Sequence, residues 1–291
     1  MTENKIETVK NQVIIPDQEN FDRLIFIFKE QGKDKIHILA DFDRTLTKAF
    51  INGQKVPSII SILRDGRFLT PEYTKQANEL FNQYHPIEID PTVPFEDKKK
   101  KMEEWWRRHF ELLLKSGLSK KEISQVAQDP RIQLRPGVKD FLHKLHQQQI
   151  PLVVLSSAGL GAESIIMVLQ REKCLYDNIH IISNEFEYDD EGCAIKVKEP
   201  IIHTLNKDET MISDFPEIYQ DLKNKQNVVL LGDSISDVGM IIGFDYDNLF
   251  KIGFLNESIE ENLDKYKQNF DVIITGDGDT KFVNQIMQEI L

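Results

Sequence analysis

The chain has 291 residues, of which 40% are hydrophobic and 29% are charged. This composition is typical of a soluble globular protein and excludes collagen-like, low-complexity and disordered architectures. A chain of this length forms one large domain, or a core domain with an insertion. The formal net charge is −12. Such an acidic balance disfavours nucleic-acid polymers and anionic membranes as main partners, because both repel negative charge.

The cysteines and the first ten residues indicate the cellular compartment in which the protein is expected. Cys174 and Cys193 are too few for a disulfide framework and lack the spacing of a metal cluster, so we expect buried free thiols. Residues 1–10 are polar and lack the apolar segment of a signal peptide. No apolar run approaches the roughly 20 residues that span a bilayer. We therefore expect a cytoplasmic protein in a reducing environment.

The first predicted elements are a helix and a strand. Asp17 is placed to cap a helix whose apolar residues recur at helical spacing from residue 21 to residue 28. Residues 36–40 (IHILA) then form a short apolar run that stops at a polar segment beginning with Asp41. Such a run is typical of a strand that is buried on both faces of a sheet.

Residues 48–133 differ from the rest of the chain because they are mostly helical in pattern and rich in aromatic and charged residues. An apolar stripe that includes Trp105 and Trp106 predicts one helix, and Gly117 is a good stop for it. Ser119 and Glu122 have the spacing of a capping box that opens the next helix. We interpret this segment as an inserted helical cap, with the core domain formed by residues 1–47 and 134–291.

Two further apolar strands end in polar loops in the second half of the chain. Residues 151–155 (PLVVL) precede two serines, and residues 228–231 (VVLL) precede the sequence GDS. Between them, residues 186–197 predict a hairpin that turns at 190–192, and after them residues 271–274 predict a late core strand. Strands alternating with helices indicate a parallel α/β sheet, in which ligands bind at the carboxyl ends of the strands. The polar loops are therefore expected to form one shared site.

Carboxylates dominate that expected site. Asp41 and Asp43 are two residues apart after a strand, so both side chains can face the same small volume. Asp233 and Asp237, at the end of another strand, add further negative charge. Close carboxylates repel unless a cation or a shared proton relieves them. A site of oxygen ligands without His or Cys suits Mg²⁺ better than zinc.

The motifs resemble those of the haloacid dehalogenase (HAD) superfamily of phosphohydrolases. Residues 41–45 (DFDRT) resemble its DxDxT signature, and Ser157, Lys207 and residues 232–237 (GDSISD) match its second, third and fourth motifs in order. Longer strings resemble the cytosolic pyrimidine 5′-nucleotidase family (type III cytosolic 5′-nucleotidases). They are residues 85–91 (HPIEIDP), 104–106 (EWW), 157–161 (SAGLG), 202–207 (IHTLNK) and 251–256 (KIGFLN). The resemblance implies a HAD-like Rossmannoid core and a Mg²⁺-dependent hydrolase.

Roles for the motif residues follow from the resemblance. It implies that Asp41 is the nucleophile, which forms an aspartyl-phosphate, and that Asp43 is the general acid and base. It also implies that Asp41, the backbone carbonyl of Asp43 and Asp233 hold Mg²⁺, and that Asp237 acts on the ion indirectly, through water or Lys207.

The substrate contacts are implied in the same way. Ser157, the N–H of Ala158 and Lys207 hold the phosphoryl oxygens. Glu88 in the cap contacts the base of a nucleoside 5′-monophosphate, where a carboxylate accepts hydrogen bonds and suits cytosine or 7-methylguanine. UMP and CMP are the expected substrates, and 7-methyl-GMP stays open. His109 stands where the family commonly has a small polar residue, and it shares a helix face with Trp106.

Several alternatives stay open from the sequence. One tryptophan of the pair 105–106 is expected to pack in the core and the other to approach the base. A HAD phosphatase for another small metabolite would have the same motifs. A signalling receiver also combines acidic residues, Mg²⁺ and a lysine, but the large cap and Asp43 argue against it. We expect a monomer.

Overall fold

The computed structural model describes residues 12–207, 215–242 and 245–291. The strands of these residues are β1 (Val13–Ile14), β2 (Ile36–Ala40), β3 (Phe50–Ile51), β4 (Gln54–Lys55), β5 (Leu152–Leu155), β6 (Ile179–Ile182), β7 (Phe186–Tyr188), β8 (Ala194–Val197), β9 (Asn227–Gly232), β10 (Asn248–Leu255) and β11 (Val272–Thr275). The helices are α1 (Gln18–Gln31), α2 (Ile59–Leu63), α3 (Pro71–Ile89), α4 (Phe95–Lys115), α5 (Lys120–Ala127), α6 (Val138–Gln148), α7 (Gly161–Arg171), α8 (Pro216–Leu222), α9 (Ile259–Asn269) and α10 (Lys281–Ile290). Short 3₁₀ turns cover Lys33–Lys35 and Ile235–Ile241.

A seven-stranded sheet in the order β1-β11-β10-β9-β2-β5-β6 organises the molecule. All neighbouring strands are parallel except the edge strand β1, which runs antiparallel to β11. Every residue of β2, β5 and β9 is buried. Ile38 and Leu39 belong to separate apolar layers, because alternate residues of a strand point to opposite faces. The predicted α/β fold with a mostly parallel sheet is confirmed, and the antiparallel edge is an addition to it.

Local signals in the sequence define several element ends. The side chain of Asp17 accepts a hydrogen bond of 2.9 Å from the N–H of Asn20 and so caps α1. Ser119 and Glu122 form the predicted capping box at α5. The predicted hairpin is present as β7 and β8, and the predicted late strand is β11, shifted by one residue. Within the described ranges, none of the helices combines the length and apolar character that crossing a bilayer requires.

The chain leaves the core sheet and returns to it at one place. Thr47 and Leu134 form an isolated antiparallel bridge, and the N–H of Lys48 donates to the carbonyl of Gln133 at 2.9 Å. The residues between them form β3, β4 and α2 to α5, and none of these strands joins the seven-stranded sheet. This geometry supports our proposal that residues 48–133 are a cap. Within that segment α3 packs against α4, whereas α5 packs against α7 of the core.

The two cysteines differ in burial. Cys174 is buried with a free thiol, as expected. Cys193 also has a free thiol but is only half-buried, because it follows the hairpin turn at Gly192 near the surface. The expectation of two buried thiols is therefore wrong for Cys193.

Candidate active site

A cleft of about 800 Å³ lies between the carboxyl edge of the sheet and the helices of residues 48–133. It collects the three polar loops that follow β2, β5 and β9, because the carboxyl ends of neighbouring parallel strands meet at one edge. Every site residue predicted from the sequence lines this cleft: Asp41, Asp43, Glu88, His109, Ser157, Ala158, Lys207, Asp233 and Asp237.

Three carboxylates and one lysine form the floor of the cleft. Side-chain oxygens of Asp41, Asp233 and Asp237 all lie within 4.8 Å of one another. Nζ of Lys207 lies 2.5 Å from Oδ1 of Asp41 and 3.0 Å from Oδ1 of Asp237. Lys207 is buried, and the two carboxylates beside it raise the pKa of its ammonium group despite that burial. The lysine is therefore charged and links two of the acids.

The acidic floor carries more negative charge than Lys207 neutralises. The pKa of Asp41 is raised to about 7 by burial and by the charge of Asp237, although Lys207 opposes the shift. The pKa of Asp233 is also raised well above its usual value, by burial and by the repulsion of Asp237 and Asp41. No group in the described part of the chain donates a hydrogen bond to the Asp233 carboxylate. Buried oxygen ligands with excess negative charge fit a hard divalent cation such as Mg²⁺.

Asp237 and Asp43 occupy different positions around this floor. One carboxylate oxygen of Asp237 accepts the N–H groups of Asp233 and Ser234, at 3.1 and 2.9 Å, and the other accepts Lys207. Asp237 thus holds the loop that presents Asp233. The carboxylate of Asp43 lies outside the close group of three. Burial raises its pKa, although Arg44 and Lys207 oppose this, which favours the protonated acid.

The loop after β5 presents unused backbone donors to the cleft. Over the described residues, the N–H groups of Ser157, Ala158 and Gly159 have no protein acceptor. A Cβ on Gly159 would lie 2.9 Å from the Trp106 ring, so only glycine allows this close approach between the loop and α4. Free N–H groups before a helix bind anions well.

Glu88 lies at the cap side of the cleft. One of its carboxylate oxygens accepts the Thr204 hydroxyl at 2.8 Å, and the other lies 3.1 Å from Nδ1 of His85. Because Thr204 belongs to the core and Glu88 to α3, this bond joins the two walls of the cleft. His85 in turn stacks on Phe81, with ring centroids 4.6 Å apart.

His109 is almost fully buried at the side of this wall. Its ring lies against Trp106, and Nε2 is 3.4 Å from the Tyr73 hydroxyl. Burial and the nearby Arg64 lower the pKa of His109 to about 3. The imidazole is therefore neutral at physiological pH.

Trp105 and Trp106 both line the cleft. Trp105 stacks on Tyr84 with centroids 5.9 Å apart, and Trp106 packs on Phe110 at 5.4 Å. Trp106 also packs against the hydrophobic core, as expected for one of the two, but it lines the cleft as well. The cleft extends around α4 far enough for adjacent residues, about 100° apart on a helix, to reach it.

The sequence patterns did not identify Arg135, which holds the backbone of the loop that follows Asp43. Arg135 is 1% exposed, and its guanidinium donates to the carbonyls of Arg44, Thr45 and Gly278 and to the side chains of Asn256 and Asp277. Arg44 has a φ of +62°, which is unfavourable for a residue with a side chain. Arg135 and Asn256 both hold the Arg44 carbonyl, so they stabilise this conformation next to Asp43. No local sequence pattern indicates this arrangement, because the partners of Arg135 are far apart in the chain.

Comparison with known proteins identifies the family. A model of the family "Pyrimidine 5'-nucleotidase (UMPH-1)" matches residues 44–291. The chain belongs to this family. The resemblance found in the motifs is confirmed, and this 5′-nucleotidase is a phosphoric monoester hydrolase. The matched region begins just after Asp43, whereas the alignment with the mouse relative covers 100% of this chain.

The similar relatives, and one similar solved structure, are named as 5′-nucleotidases. The chain is 33% identical to the mouse (Mus musculus) 7-methylguanosine phosphate-specific 5′-nucleotidase, over 100% of this chain and 96% of the relative. It is 34% identical to the Drosophila melanogaster protein of that name, over 90% and 82% of the two chains. The crystal structure of cytosolic 5′-nucleotidase IIIB bound to cytidine superposes with a TM-score of 0.87 at 30% identity, over 97% and 94%. A substrate-bound phosphoserine phosphatase, with a TM-score of 0.50 at 17% identity over 88% and 98%, shares the fold.

Proposed function

We propose that this nucleotidase hydrolyses pyrimidine nucleoside 5′-monophosphates, CMP and UMP, to a nucleoside and phosphate. The observation that carries the proposal is the meeting of Asp41, Asp233, Lys207 and the Ser157 loop in one cleft under an aromatic wall. The name of the solved relative, which includes bound cytidine, supports a nucleoside as the leaving group.

Asp41 is the proposed nucleophile. Its carboxylate oxygen attacks the phosphorus atom, and the bond to the nucleoside O5′ breaks, which gives an aspartyl-phosphate. The ammonium group of Lys207, 2.5 Å from Asp41, favours the ionised form of that carboxylate and lies where it offsets the charge of the phosphoryl oxygens. Ser157 and the N–H of Ala158 hold those oxygens, since their donors have no partner within the described chain.

Asp43 is the proposed general acid and base. Its raised pKa supports a carboxyl group that carries a proton when substrate binds. That proton goes to O5′ as the nucleoside leaves. The resulting carboxylate then takes a proton from the water that hydrolyses the aspartyl-phosphate.

Mg²⁺ is the proposed cofactor. Asp41, Asp233 and the backbone carbonyl of Asp43 would hold it, with Asp237 fixing the Asp233 loop through two N–H groups. When bound, the ion neutralises the repulsion between the phosphate and the acidic floor.

The cap is proposed to bind the base. Glu88 keeps a free lone pair on each oxygen and accepts from an exocyclic amino group or a ring N–H. Trp105, Trp106 and the neutral His109 provide the wall beside it. We propose that the enzyme acts as a cytosolic monomer, since one chain supplies every residue of the site and the solved relative is named cytosolic.

The test is phosphate release from a panel of CMP, UMP, GMP, 7-methyl-GMP and phosphoserine, with Mg²⁺ and after chelation. We expect CMP and UMP to be hydrolysed fastest and phosphoserine not to be hydrolysed. We also expect a loss of at least ~100-fold on chelation, because the ion supplies several kcal/mol of charge stabilisation. A preference for phosphoserine, or a rate that chelation leaves unchanged, would contradict the proposal.

A further inference from the structure

Arg64 lines the same cleft but has no role in the mechanism above. It follows α2, and it is partly buried against the cap wall. Its guanidinium carbon lies 4.2 Å from the centroid of the Phe81 ring, and Nη2 donates to the Ser61 hydroxyl at 3.0 Å. A guanidinium has five N–H donors, so this single hydrogen bond leaves most of them available to a ligand.

The positive charge of Arg64 is not paired. No carboxylate of the described residues lies within 4 Å of its guanidinium nitrogens. The adjacent Asp65 instead contacts Arg67 at 3.2 Å and Arg131 at 2.6 Å. A partly desolvated cation without a direct ion-pair partner attracts anions and carbonyl oxygens and repels other cations. Arg64 and His109 line the same cleft, and the positive charge of Arg64 contributes to the lowered pKa of His109.

Arg64 and Glu88 lie at opposite ends of one aromatic stack. Phe81 contacts Arg64 at one end and stacks on His85, which contacts Glu88 at the other. The cap wall therefore offers an acceptor at one end and a positively charged donor at the other. A base with an amino group and a carbonyl oxygen, such as cytosine, complements both ends.

We propose that Arg64 makes this enzyme select uncharged bases and reject 7-methylguanine. Methylation of N7 gives guanine a fixed positive charge. Arg64 repels this charge, and the repulsion offsets any attraction of the base to Glu88. This inference rests on the proposed function, since it names the substrate class of the same site. It separates this chain from the relatives whose names specify 7-methylguanosine phosphate.

The test compares Arg64→Met with Arg64→Lys. Both replacements keep a long unbranched side chain, and only lysine keeps the charge. The readout is the ratio of kcat/KM for 7-methyl-GMP to kcat/KM for GMP, because these nucleotides differ by one methyl group and its charge. We expect Arg64→Met to raise this ratio about tenfold, equivalent to about 1.4 kcal/mol, and Arg64→Lys to leave it unchanged. We also expect wild-type enzyme to prefer CMP to 7-methyl-GMP by at least tenfold.

Arg67→Met is the matched control, because Arg67 is three residues away and does not line the cleft. It should leave the ratio at the wild-type value. The proposal is overturned if Arg64→Met leaves the ratio within twofold of wild type. It is also overturned if both variants raise the ratio, or if GMP and 7-methyl-GMP improve equally, since added space would then explain the change.

Binding of free nucleosides separates this inference from the proposed function. Calorimetry with cytidine and 7-methylguanosine needs no hydrolysis. If wild-type enzyme releases no phosphate from any nucleotide, the proposed function fails. The inference is then decided by whether Arg64→Met, but not Arg64→Lys, strengthens the binding of 7-methylguanosine relative to cytidine.

Discussion

The Asp41→Asn variant is expected to release phosphate from CMP roughly 10⁴-fold or more slowly than wild type, as is typical when a catalytic nucleophile is removed. An amide at this position has almost the same shape as the carboxylate but cannot accept the phosphoryl group. The variant should fold, because Lys207 keeps its 3.0 Å contact with Asp237 after the change. Loss of one acid also relieves the repulsion that raises the pKa of Asp233.

Phosphate release and thermal unfolding of the same preparation check this prediction. Asp264→Asn makes the same chemical change at a carboxylate that is 89% exposed and lies outside the cleft, so it should keep wild-type activity. A rate for Asp41→Asn above about 1% of wild type, in protein that unfolds at the usual temperature, would exclude Asp41 as the nucleophile.

Replacement of Arg135 by Met should weaken both the fold and the catalytic loop. The change leaves the carbonyls of Thr45 and Gly278 without a donor, and it removes the ion-pair partner of Asp277, which keeps only two backbone N–H donors. Removing one partner of a buried ion pair costs about 3–5 kcal/mol in the free energy of unfolding. Because Arg135 holds the strained Arg44 next to Asp43, we also expect kcat per folded molecule to fall at least tenfold, which corresponds to about 1.4 kcal/mol.

Arg171 provides a matched control for this second prediction. Its guanidinium also donates to backbone carbonyls, those of Ala127, Asp129 and Ile132, but it lies outside the cleft. Arg171→Met should therefore destabilise the protein while leaving kcat of the folded fraction unchanged. Denaturant unfolding and kcat, both measured below the unfolding transition, separate the two effects. If Arg135→Met changes only stability, as Arg171→Met does, Arg135 does not position the loop.

Much of the core could be predicted because the apolar runs are continuous. β2, β5 and β9 are buried on both faces, so their sequences carry the same signal. The polar residues that follow these strands had to meet at one edge once the sheet was parallel. The edge strand β1 has only two residues, which is too short to show an alternation of apolar and polar residues.

The rest of the site depends on long-range packing that no local pattern encodes. Arg135 contacts carbonyls some 90 residues earlier in the chain. Because every residue has a main-chain carbonyl, the residue types at those positions do not indicate the contact. Arg64 follows a helix of five residues, which is too short to predict where its side chain points. The position of both tryptophans at the cleft depends on how the cleft extends around α4 rather than on helical spacing alone.

Covalent capture of phosphate by Asp41 is the central claim and can be tested directly. In Asp43→Asn with p-nitrophenyl phosphate and Mg²⁺, the leaving group needs no protonation, whereas hydrolysis of the aspartyl-phosphate lacks its base. We predict a burst of p-nitrophenol equal to the enzyme concentration. Acid quenching followed by mass spectrometry should then find the phosphoryl group on Asp41. Equal release of p-nitrophenol and phosphate from the first turnover, with an unmodified Asp41 peptide, would contradict the account.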